Sequence, residues 1–151
     1  MTADESVIQT IETEVALLLR RAEATRRSSP EAEHRALDRA AYVILRQLEA
    51  SGDTNVGALA SQLGLDGSTV TRQVAAMERD GLVERRRDPS DGRGTLIVAT
   101  AHGRARLRSV RHARAELYER VLADWSTADR ASLAVLLHRF NESLNQHTRP
   151  R

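Results

Sequence analysis

Apolar residues recur three and four positions apart along most of the chain, and this spacing predicts six helices. Val7, Ile11, Val15 and Leu18, with Ile8 and Leu19 beside them, mark an amphipathic helix over about 4–27 that Ser28-Ser29-Pro30 breaks. Leu37, Ala41, Ile44 and Leu48 form the stripe of a second helix over about 31–50, stopped by Ser51-Gly52-Asp53. Asn55 is placed to cap a short third helix carrying Val56, Leu59, Ala60 and Leu63, with Gly64 closing it. Asp66 caps a fourth over about 67–80, and Gly81 lies just past its end. From Leu82 the period shortens to that of extended chain. Residues 82–87 and Thr95–Ala99 read as two strands around an Asp91-Gly92 turn. Thr100 caps a long fifth helix over about 101–125, with Leu107, Val110, Leu117, Val121 and Trp125 on one side. Ser126 or Thr127 opens a sixth, carrying Leu133, Leu136, Leu137, Phe140 and Leu144 to about 147, and the last five residues are expected to fray.

The predicted fold is mainly α with a small β-hairpin wing. A short helix, a tight turn, a second helix and a hairpin over 55–100 make a winged helix-turn-helix, so 35–100 is read as a DNA-binding domain. Residues 1–34 and 101–151 supply flanking dimerisation helices interleaved with it. A winged module of about 60 residues has too little surface to cover the apolar stripes of the first and sixth helices. Pairing those helices with a second copy buries the stripes, and an isologous dimer is the simplest way to do so; the alternative is a monomer whose helices fold back on each other.

Charge sharpens the picture by where it lies. The 151 residues carry a net charge of +2, with 23 arginines and no lysine. Residues 85–114 hold nine arginines against Asp88 and Asp91, a local net of +7, whereas residues 1–19 hold four carboxylates and no arginine. One region is thus suited to a polyanion and the other is not. The chain has no cysteine, which excludes disulfides, thiol catalysis and cysteine-ligated zinc. Apolar runs fall far short of a membrane span, and the opening residues lack a secretory pattern, so no membrane partner and a cytoplasmic location are expected. The five histidines lack convincing metal spacing, no catalytic constellation is present, and no cofactor is expected. Tyr42, Tyr118 and Trp125 are read as core packing rather than as the lining of an effector pocket.

The fourth helix carries the chemistry of a major-groove reader. Val70, Val74 and Met77 form its inner stripe, with Ser68, Arg72 and Arg79 nearly opposite and Thr69 and Gln73 on one shoulder. Arg72 suits bidentate bonding to guanine and Gln73 to adenine. Ser68, Thr69 and Thr71 at the helix start suit phosphate, and Asn55 at the preceding cap joins this polar set. The hairpin adds Arg85, Arg86 and Arg87 leading in and Arg93 at the tip between Gly92 and Gly94, a slim cation suited to a minor groove. Asp91, two residues before Arg93, is expected to pin its guanidinium.

Three segments together resemble the MarR-type transcription regulators. They are Leu63-Gly64-Leu65 through Ser68-Thr69-Val70-Thr71-Arg72 to Val74; Met77-Glu78, Gly81-Leu82-Val83 and Arg85; and Asp91, Arg93, Thr100 and Gly103. The resemblance covers about 35–105 and departs at Ala99, where the family usually has leucine. It implies a homodimeric winged-helix repressor or activator, with the fourth helix in the major groove and Arg93 in the minor groove. It also implies a small phenolic or anionic effector bound between the dimerisation and DNA-binding lobes. The resulting expectation is a non-enzymatic regulator, most simply a repressor, on an inverted-repeat operator in double-stranded DNA. The competing assignment is a protein-interaction module whose basic face binds an acidic partner.

Overall fold

The computed structural model describes residues 3–28 and 37–148. Residues 3–28 belong to one of two units into which the chain divides and consist of α1 (Ala3–Ser28). Asp4 and Glu5 occupy its first turn, where the helix dipole favours negative charge. Of the predicted stripe and its neighbours, Val7, Ile8, Ile11, Leu18 and Leu19 are exposed, and Val15 is half-buried.

The second unit begins with α2 (Arg39–Ser51), whose N-cap Asp38 accepts a hydrogen bond from the Ala41 N–H at 2.7 Å. The sequence expectation started this helix at 31. Residues 31–36 lie outside the described residues, and Leu37 and Asp38 stand before the helix because the Asp38 carboxylate satisfies one of its free N–H groups. Then come α3 (Val56–Leu63) and α4 (Gly67–Arg79), capped by Asn55 and Asp66 as the sequence predicts. Each ends in the same six-to-one closure around a glycine with positive φ. The Leu65 N–H bonds to Ala60 C=O after Gly64, and the Leu82 N–H to Met77 C=O after Gly81.

Strands β1 (Val83–Arg87) and β2 (Thr95–Ala99) pair antiparallel, with Arg85 opposite Ile97 and Arg87 opposite Thr95. Leu82, expected in the first strand, is spent on closing α4. Thr54, unmarked in the sequence, exchanges two backbone hydrogen bonds with Ile97 and extends the small sheet by one bridge.

Next are α5 (Ala101–Val121), capped by Thr100, and α6 (Thr127–Thr148). The predicted end of α5 at 125 is four residues too late: after Val121 the chain turns through tighter bonds, Ala123 N–H to Arg120 C=O and Trp125 N–H to Leu122 C=O. Ser126 then caps α6 by accepting the Asp129 N–H at 3.1 Å.

The core lies between α2, α3, α4, the hairpin and the first half of α5. Its largest enclosed side chains are Ile44, Leu45, Leu59, Ile97, Leu107, Val70, Val74, Val83 and Val110. Burying each stabilises the fold by about 1.5–3 kcal/mol relative to exposure. Beyond Ala113 burial stops. No described residue of α6 is buried, and Val135, Leu136, Leu137, Phe140 and Leu144 are exposed together with Tyr118, Val121 and Trp125. Core packing for Tyr118 and Trp125 is therefore not what the single chain shows. Trp125 instead borders an open cleft of about 510 Å³ with Asp124, Asp129, Ser132, Leu133 and Leu136. Tyr42 is half-buried and lies under the Arg114 guanidinium, 4.1 Å from the ring centre. No helix among the described residues is long and apolar enough to cross a membrane.

Candidate nucleic-acid interface

Burial divides α4 as its periodicity predicts. Val70, Val74 and Met77 face the core, while Ser68, Thr71, Arg72, Ala75 and Arg79 are exposed. Arg72 and Arg79 have no hydrogen bond or ion pair among the described residues, so their guanidinium groups are free to meet an external anion. Gln73 differs from expectation. Its Oε1 is buried without a hydrogen-bond partner among the described residues, and a bidentate adenine contact needs that oxygen outward. A side-chain rotation has to precede any such contact.

The start of α4 is already occupied by an anion of the chain's own. The Asp66 carboxylate accepts the Ser68 hydroxyl at 2.5 Å, the Thr69 hydroxyl at 2.6 Å and the Thr69 N–H at 2.8 Å. Thr71 donates its hydroxyl to Gly67 C=O at 2.7 Å. The three hydroxyls expected to reach phosphate are thus committed within the helix, leaving the Gly67 and Ser68 N–H groups without intrahelical acceptors. The same bonds, the Ser68 hydroxyl foremost and then those from Thr69, hold the Asp66 carboxyl well below the usual carboxylate range. A carboxyl whose folded pKa is lowered contributes stability above its unfolded pKa and loses it as pH falls through the folded one. Asp66→Asn is therefore expected to melt below the wild type by a constant margin above pH ~5. The margin is expected to begin shrinking near pH ~4 and to go on shrinking as the pH falls further toward the lowered folded-state value. Thermal melts from neutral pH down to pH ~2 check it, and a margin that does not change below pH ~4 would refute the assignment.

Asn55 spends its Oδ1 on the Ala58 N–H at 2.8 Å, so its part in any interface falls to the remaining amide N–H₂.

The hairpin sorts its arginines differently from their order in the sequence. Arg85 binds Glu78 of α4 at 3.1 Å and ties the base of the wing to that helix, and Arg86 is held by Glu84. Arg87 and Arg93 are exposed and have no side-chain partner among the described residues. The expected Asp91–Arg93 guanidinium pair is not formed. Asp91 Oδ1 instead accepts the Arg93 backbone N–H at 3.1 Å, and its C=O accepts the Gly94 N–H at 2.8 Å. Asp91 thus shapes the turn, as Asp does in such turns, and leaves the Arg93 head free. Asp88 braces the other side through the Ser90 hydroxyl and N–H, which hold its carboxyl below its ordinary value.

The dense positive charge of 85–114 is partly internal. On α5, Arg104 donates to Ala99 C=O, Arg111 to Glu49 at 2.9 Å, Arg114 sits over Tyr42, and Arg106 is also engaged. Between 67 and 114 the arginines without a side-chain partner among the described residues are Arg72 and Arg79 on α4, Arg87 and Arg93 on the wing, and Arg108 on α5. Arg79 and Arg87 lay outside the expected site set, and Arg85 and Arg86 inside it. The signal that separates them is the carboxylate within reach, Glu78 seven residues before Arg85 and Glu84 two before Arg86.

Comparison with known proteins agrees with this architecture. The MarR family model matches residues 37–95. The HTH-type transcriptional regulator YxaD of Bacillus subtilis (strain 168) is 36% identical over 140 residues, spanning 93% of this chain and 96% of that protein. The PcaV transcriptional regulator of Streptomyces coelicolor, solved with its natural ligand, superposes with a TM-score of 0.66 at 26% identity, covering 86% of this chain and 91% of PcaV. The transcriptional regulator SlyA shares the fold, with a TM-score of 0.72 at 20% identity over 91% of this chain and 96% of SlyA. The capped α3–α4 pair, the cationic wing and near full-length similarity to a curated regulator make this chain a member of the MarR family of DNA-binding, winged helix-turn-helix transcriptional regulators.

Proposed function

We propose that the protein acts as a homodimeric repressor on an inverted-repeat operator, with affinity set by a small phenolic or anionic ligand. The observation that carries the DNA contact is the set of unpaired guanidiniums on α4 and the wing, with Arg72 on α4 and Arg93 at the wing tip, in a chain that engages four of its six α5 arginines in contacts of its own. A solvated surface arginine costs nothing to present, whereas Arg85, held by Glu78, keeps the wing and α4 in one body.

The uncovered apolar side chains of α1 and α6 support dimerisation, with 1–34 and 101–151 as the associating segments and 35–100 as the reading domain. A helix without a covered face draws little stability from propensity alone, so α6 gains its packing from a second copy. Two recognition helices about a two-fold axis meet successive major grooves ~34 Å apart. A ligand seated between lobes alters that separation, and a coupling of about 1–3 kcal/mol changes affinity ~5- to 150-fold. The ligand-bound state of PcaV supports this part of the proposal.

Selection from random duplexes, with and without phenolic and anionic compounds, tests the reading. The expected product is a pair of inverted half-sites centred about 10 base pairs apart. A selection that enriches no motif would refute it and favour an acidic protein as the partner of the basic face.

A further inference from the structure

Among the described residues of α6, Leu133 and Asn145 alone are partly shielded, one near each end of the helix. Leu133 lies by the α5–α6 turn with Trp125. Asn145 lies against the turn between α3 and α4. Its Nδ2 donates to Gln62 C=O at 3.4 Å, and a methyl built on Gly64 would stand 2.2 Å from Asn145 Oδ1 and 3.3 Å from Thr148 Oγ1. The carboxamide therefore rests directly on the Gly64 backbone, in a seat that a side chain at that position would fill. Its Oδ1 is buried with no hydrogen-bond partner among the described residues, an unfavourable placement for a polar atom that persists where the surroundings fix it.

We infer that Asn145 is a positioning residue that ties the far end of α6 to the α3–α4 turn, so that the seat of α6 sets the pose of α4. The inference rests on α4 being the DNA reader. Gly64 precedes the first residue of α4 by three positions, and the closure around it already fixes the Leu65 N–H on Ala60 C=O. A displacement at Gly64 consequently passes into the start of α4, where Asp66, Ser68 and Thr69 are locked together and Arg72 follows one turn later. At 22 residues α6 is a rod of about 33 Å. It presents apolar side chains to an associating copy along its length and touches the reading head at its tip. Rigid elements joined by single packed contacts are a route by which remote changes alter a site.

The test uses the full chain with Asn145→Ala, Gly64→Ala and the double variant, read out in two ways. Amide hydrogen exchange without DNA is expected to quicken across residues 63–70 in Asn145→Ala, with the α2 core and the melting temperature unchanged. Affinity for a selected duplex is expected to fall roughly 2- to 30-fold while affinity for a scrambled duplex holds. Gly64→Ala forces its methyl against Asn145, so the two substitutions are expected to be non-additive, the double variant binding better than Gly64→Ala alone. Unchanged exchange at 63–70, a chain-wide rise with a lower melting temperature, or additive effects would each overturn the inference. The exchange result decides the positioning role by itself. A wild type that distinguishes no duplex would instead overturn the DNA-reading assignment.

Discussion

Alanine in place of Arg93 is expected to weaken the specific complex by about 1–3 kcal/mol, or roughly 5- to 150-fold, while leaving the melting temperature and dimerisation unchanged. The prediction follows from how the tip is built. The turn is held by Asp91 through the Arg93 and Gly94 N–H groups and by Asp88 through Ser90. None of these bonds uses the Arg93 side chain, which is exposed and unpartnered among the described residues, so truncation breaks nothing in the free chain. Arg111→Ala is the informative contrast. It removes a cation of the same charge but one already spent on Glu49, in a half-exposed pair worth at most about 1 kcal/mol of stability. Titrations with the selected duplex at several salt concentrations separate the two. Loss of Arg93 is expected to lower the salt slope by about 1, and loss of Arg111 by much less. Equal effects would mean that binding follows the total charge of the chain, and the wing would lose its particular role.

That contrast also marks where the sequence stops being legible. Caps at Asn55, Asp66 and Thr100 are short-range devices, a side chain and an N–H three residues on, and all three are where the sequence puts them. The inner stripe of α4 follows from period alone. By contrast, Arg111 meets Glu49 across 62 positions, and no local pattern announces that pairing. A count of arginines over 85–114 therefore overstates the surface available to DNA. Thr54 joins the sheet as a single bridge, with no alternation to betray it. Asp91 shows a different limit: the residue is a correct signal for a turn, but whether its carboxylate holds a backbone N–H or a guanidinium depends on a geometry that spacing does not fix. Gln73 is on the predicted shoulder of α4, yet the direction of its amide is set by packing. The uncovered faces of α1 and α6 are legible as surplus apolar stripes, because a module this small cannot bury them.

Gly103→Ala is expected to be the most damaging single-methyl change in the chain, costing about 3 kcal/mol and lowering the melting temperature by roughly 6–12 °C. In an ordinary helix interior the same change stabilises, since alanine is the better helix former by about 1 kcal/mol. Here the sign reverses. The added methyl would lie 2.0 Å from Leu82 O and 2.9 Å from its carbonyl carbon, well inside van der Waals contact. That carbonyl cannot swing away cheaply. It accepts the Thr100 N–H at 3.1 Å, and the Thr100 hydroxyl, which takes the Gly103 N–H at 2.9 Å, gives its one proton to Gly81 C=O at 2.6 Å with Leu82 O beside it at 3.2 Å. Leu82 is itself buried and closes α4 through Met77 C=O. One knot thus joins the end of α4, the start of β1 and the first turn of α5, which explains physically why Thr100 and Gly103 stand three apart. Gly67→Ala supplies the comparison, because its methyl would meet open space, and it is expected to leave stability unchanged or slightly raised. Thermal melts of both variants decide the matter. A Gly103→Ala chain that melts with or above the wild type would show that α5 does not press on the α4–β1 junction, and the rigid link between α4 and α5 would be gone.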